Sequence, residues 1–137
     1  MRMLRPEGYL AFLLRLEAFV LLCAVPAALM PAEWMASVHA WLGMGTIPRG
    51  PLVEYLTRSL SLLYASWVPI LWLTAGDVRR YRLLIEVMAW TRFALGVSLL
   101  VLDSVVGMPW LWLAAEGPSI MALSLVVVVL ARRVGRG

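Results

Sequence analysis

The sequence predicts an all-α fold: an integral membrane four-helix bundle with a short interfacial helix between its first and second spans. Three observations predict it. Hydrophobic residues make up 63% of the chain and charged residues only 15%, against roughly 45–50% and about 25% in water-soluble domains. Four apolar segments each approach the roughly 20 residues needed to cross hydrocarbon. The arginines, finally, gather on alternate connections, as they do when a chain is sorted across a membrane. A soluble domain of 137 residues must cover most of its surface with polar groups, and this chain has too few. It is read as one membrane domain, residues 1–137.

The first span is expected at about 8–30. Arg2 and Arg5 before it and Pro31 after it also fit a signal peptide, with a small-residue cleavage site after Ala27. Arg15 and Glu17 interrupt the apolar run, so an uncleaved helix is expected. The interfacial helix is expected at about 32–42. Pro31 and Glu33 suit its start and Gly43 its end. Trp34, Val38 and Trp41 share one face, which would anchor it in the headgroup region.

The second span is expected at about 52–75, after a loop with two prolines that breaks it from the interfacial helix. Pro69 should kink it or loosen one turn. A basic turn, Gly76-Asp-Val-Arg-Arg-Tyr-Arg, leads to a third span at about 83–102, in which Glu86 and Arg92 leave the shortest charge-free stretch. The fourth span is expected at about 109–130. Pro118 either kinks this span, leaving the carbonyl of residue 114 unpaired, or marks its start.

Net charge is +4 and all twelve basic residues are arginine. A basic excess can signal nucleic acid. Here the arginines flank apolar segments, so the expected partner is the lipid bilayer and not nucleic acid. Placing both termini in the cytoplasm, as in a multi-pass protein of the cell membrane, puts Arg2, Arg5, Arg79, Arg80, Arg82, Arg132, Arg133 and Arg136 inside and only Arg49 outside. Trp110 and Trp112 then fall at the outer interface and Trp72 near the inner one.

Charges within the spans are the most informative residues, because each costs about 2.5–3.5 kcal/mol at the bilayer centre unless it faces protein. By depth they form an outer layer of Glu54, Arg58, Asp103 and Glu116, and an inner layer of Arg15, Glu17 and Glu86, with Arg92 between. Glu54 and Arg58 are i, i+4 on one helix face and can pair. Arg58 is expected to bridge Glu54 and either Glu116 or Asp103. Two readings stand: these charges lock helix register, or Glu116, Asp103 and Arg58 line a polar pocket open to the outer side.

Some chemistry is poorly served by this sequence. With one His, His39, and one Cys, Cys23, a single chain cannot build a closed zinc site or a haem with two His ligands. It contains no P-loop, dinucleotide fingerprint or nucleophile elbow. Ser59, Ser61 and Ser66 are read as hydroxyls bonded to backbone or packed between helices. No cofactor or metal is expected.

The order of elements carries a resemblance. Glu54-Tyr-Leu-Thr-Arg58 opens the second span, Tyr64-Ala65 lies within it, a basic turn follows, and Asp103 with Gly107-Met-Pro109 closes the third. Over most of its length the chain resembles small uncharacterised bacterial four-helix membrane proteins of the DoxX-like kind. The resemblance implies that fold, a bacterial inner-membrane location and a helix-contact role for Glu54 and Arg58. Some members of that group are linked to quinone-coupled sulfur oxidation, but this chain lacks a reactive cysteine pair.

Three functions are therefore open. The chain is a non-catalytic accessory or structural subunit, with a membrane protein partner or as a homo-oligomer. Alternatively, it binds or transports a small molecule through the outer polar pocket. The third reading is a quinone-linked membrane oxidoreductase subunit.

Overall fold

The computed structural model describes residues 5–135. Arg2 and Arg136, counted above with the inner arginines, lie outside the described residues. Among the described residues the fold is all helical, without strands. The helices are α1 (Pro6–Leu22), α2 (Ala24–Leu29), α3 (Ala32–Trp41), α4 (Pro51–Ser66), α5 (Val68–Gly76), α6 (Arg82–Val106) and α7 (Trp110–Val134). They make four runs long and apolar enough to cross a membrane: Pro6–Leu29, Pro51–Gly76, Arg82–Val106 and Trp110–Val134, of 24 to 26 residues each.

Proline chemistry explains the breaks. The first run is not one helix, as expected for 8–30, but two, divided at Cys23. Pro26 has no N–H to give the carbonyl of Leu22. At the break the Cys23 N–H is shared between Val20 O at 3.1 Å and Phe19 O at 3.3 Å, tightening the turn. The second run breaks at Trp67, where the N–H bonds Tyr64 O at 3.2 Å. Two residues later Pro69 leaves Ala65 O without its helical donor. The helix resumes when Leu71 N–H bonds Trp67 O.

Pro118 acts differently. It lies inside α7, which is continuous from Trp110. Of the two expectations for the fourth span, a start at Pro118 is therefore not the one observed. The α3 helix ends where anticipated, with Gly43 in the left-handed region at φ 76° and Met44 N–H bonding His39 O. α6 ends the same way: Gly107 has φ 76°, and Gly107 and Met108 both donate to Asp103 O.

The chain forms two compact units. One takes the chain up to Leu14 and from Leu73 onward; the other is Arg15–Trp72. In the first, α6 and α7 pack as an antiparallel hairpin around small residues. Ala89, Gly96 and Asp103 are buried at seven-residue intervals on α6, and so are Gly117, Ser124 and Ala131 on α7. A Cβ on Gly117 would lie 2.7 Å from Gly96 O, so only glycine permits this backbone approach. In the second unit, α2 packs on α4.

Candidate functional site

Arg58 does not pair with Glu54. It rises from α4 half-buried, and its guanidinium donates to backbone carbonyls: Nη1 to Ala28 O at 2.7 Å and Nη2 to Met30 O at 3.2 Å. The cause lies at the end of α2. The last turn of a helix has carbonyls without intrahelical donors, and Pro31 removes one N–H that would otherwise be nearby. Met30 is extended, at ψ 140°, as the residue before proline prefers. The cation also meets the negative end of the α2 dipole.

Glu54 is consequently left without Arg58. It is exposed and lines a cavity of about 230 Å³ between α3, the loop at 47–49 and the first turns of α4. Glu33, Arg49 and Thr57 line it too, with an apolar floor that includes Met35 and Val53. Thr57 turns its hydroxyl onto Val53 O and Glu54 O. Two carboxylates, a guanidinium and a hydroxyl thus belong to residues around one small hollow, beside apolar side chains. Arg49 and Glu33 were not anticipated as companions of Glu54. The signal available in the sequence was only that all three flank the ends of α3 and α4.

The other two outer-layer carboxylates belong to the other unit, on the α6–α7 hairpin. Asp103 is 6% exposed, and among the described residues its buried Oδ2 has no hydrogen-bond partner. Glu116 is half-buried on α7, near enough to Asp103 for the two carboxylates to influence each other. The residues of the expected outer layer are thus shared between the two units, Glu54 and Arg58 in one and Asp103 and Glu116 in the other.

The inner residues are likewise shared between the two units. Arg15 is exposed while Glu17 is half-buried, as expected of i, i+2 positions that face different ways. Glu86 pairs with Arg82, one turn earlier on α6, at 3.3 Å. Arg92 is half-buried and its Nε donates to Met88 O at 3.3 Å. An ion pair unforeseen from the sequence joins Arg79 to Glu7. The hydroxyls of Ser61 and Ser66 bond backbone carbonyls of their own helix, at 3.0 and 2.7 Å. Among the described residues no group of three or more His, Cys, Asp or Glu is placed to hold a metal ion.

Compared with protein-family models, with curated proteins and with solved structures, the chain matches none of them.

Proposed function

We propose that this chain is an integral membrane protein with four crossings and both termini in the cytoplasm. On this reading it acts as a non-catalytic accessory subunit that meets its partner, or a second copy of itself, within the bilayer. The observation that carries the reading is where the apolar surface lies. Only 17–22% of the most apolar stretch of each long run is buried within the protein. Phe19, Leu63 and Val87 are 57–63% exposed. Strips of that length are strongly unfavourable in water and cost nothing against acyl chains.

The accessory role draws on α4. None of the residues of Pro51–Ser66 is buried, although the helix carries the polar side chains Glu54, Thr57, Arg58, Ser59 and Ser61. A crossing helix with a polar stripe is stabilised when another helix covers it.

Two experiments test the two halves. In a Cys23→Ser background, Thr46→Cys should react with a membrane-impermeant maleimide from outside intact cells and Gly76→Cys should not. Equal labelling of both would overturn the four-crossing topology. Extraction in mild detergent should recover a stoichiometric partner or a homo-oligomer; a monodisperse monomer would overturn the accessory role.

A second reading has its own observation, the cavity beside Glu54. On that reading the chain binds a small polar molecule from the outer side, between Arg49 and the two carboxylates. Arg49→Gln and Glu54→Gln should each abolish binding of such a ligand in a thermal-shift screen of small zwitterions, and a screen without hits would overturn it.

A further inference from the structure

The turn before α6 carries Arg79, Arg80 and Arg82, and α7 ends in Arg132 and Arg133. These stretches are 50 residues apart in sequence, and the hairpin brings them to one end of the unit. A Cβ on Gly135 would lie 2.5 Å from Arg82 Nη1, so the last turn of α7 rests against the first residue of α6. The Arg79–Glu7 pair ties the start of α1 to the same end.

Only part of this charge is neutralised. Glu7 takes Arg79 and Glu86 takes Arg82. Asp77 spends Oδ1 on the backbone N–H of Arg80 at 3.0 Å. Arg80, Arg132 and Arg133 are exposed and form no ion pair among the described residues. The Arg80 guanidinium sits 5.4 Å from the Tyr81 ring centroid, which leaves its donor edge available.

Exposed apolar side chains begin three residues from these cations on both helices. Leu83 and Val87 on α6, and Val126 and Val129 on α7, are all exposed. A guanidinium cluster joined to an apolar wall fits a molecule with an anionic head and a hydrocarbon tail. Nucleic acid or an acidic soluble protein would leave the wall uncovered. Guanidinium forks match phosphate oxygens two at a time.

We infer that this end of the hairpin binds the headgroup of an anionic phospholipid, with Arg80, Arg132 and Arg133 on the phosphate and the acyl chains along Leu83 and Val87. The inference rests on the membrane-crossing reading above.

The test separates the two. The full chain is reconstituted in phosphatidylcholine vesicles containing a minority of phosphatidylglycerol, and washed in alkaline carbonate. It is then extracted in mild detergent, and co-purifying lipid is quantified by mass spectrometry. The wild type should resist carbonate and retain phosphatidylglycerol at about tenfold above its bulk share. Replacing Arg80, Arg132 or Arg133 with Gln should lower the enrichment about twofold each, and replacing all three should abolish it, while Arg49→Gln leaves it unchanged. The triple Lys variant should keep part of it, which guards against a folding defect in the Gln series. Carbonate-resistant protein without enrichment, or with enrichment untouched by the Gln substitutions, would overturn the lipid site alone. Release by carbonate would overturn the membrane-crossing reading and the lipid site with it.

Discussion

Arg58 Nη1 lies 2.7 Å from the carbonyl oxygen of Ala28, thirty residues earlier in the chain. The side chain thus acts as a C-terminal cap for a helix other than its own. It holds α2 against α4 through two charge-assisted hydrogen bonds.

This assignment predicts a specific pattern of stability. Arg58→Leu leaves two carbonyls without donors and should cost about 1.5–3 kcal/mol. Because Glu54 is not its partner, Glu54→Gln should not rescue that loss. The double variant should match the sum of the singles to within about 0.5 kcal/mol. Denaturant titration in detergent, read by tryptophan fluorescence, checks this. A double variant markedly more stable than Arg58→Leu would show that the two side chains are coupled after all.

The hairpin contact predicts an order between two glycines. A methyl group at Gly117 meets a backbone oxygen at 2.7 Å and the Leu100 Cβ at 2.9 Å. At Gly96 the nearest atom is the Met121 Cγ at 2.8 Å, and a methionine side chain can give way. Both alanine variants should lose stability by about 1–3 kcal/mol, with Gly117→Ala the worse. Their melting temperatures in the same detergent supply the comparison, and the reverse order would contradict the packing described.

Much of this fold was legible in the sequence, and the reasons are local. Apolar length marked the four long runs, Pro31 with Gly43 bounded α3, and Pro69 announced the break beside Trp67. Cys23 gave no comparable warning, although Pro26 had the same missing donor as Pro69. The pairing of charges was not legible. Depth and helix face placed Arg58 near Glu54, but a hydrogen-bond acceptor need not be a side chain, and the carbonyls at the end of α2 carry no mark in the sequence. The Arg79–Glu7 pair spans 72 residues, so no spacing rule could reveal it. The small residues at Ala89, Gly96, Gly117 and Ser124 were visible individually, but their opposition depends on the register of α6 against α7.

The break at Trp67 predicts a dynamic effect. Pro69→Ala would restore an N–H for Ala65 O and remove the ring that obstructs the preceding turn. The two helices α4 and α5 should merge into one. Amide exchange at Trp67 and Val68 should then slow by about tenfold or more, because the helical ladder runs on through the former break. Exchange as fast as in the wild type would place the cause of the break elsewhere.

Asp103 and Glu116 supply the last prediction. Among the described residues Asp103 Oδ2 is buried without a hydrogen-bond partner, and α7 carries a second carboxylate nearby, Glu116. A buried polar atom without a partner typically costs about 1–3 kcal/mol. Asp103→Asn keeps the shape and removes the charge, so it should raise the unfolding midpoint, in contrast to most core substitutions. Glu116→Gln should also stabilise, since it relieves the repulsion from the other side. The double variant should gain less than the sum of the two, because each substitution removes the same repulsion. Thermal unfolding of the four proteins completes the cycle. Destabilisation by Asp103→Asn would mean that the carboxylate holds a cation or a partner chain that repays its burial.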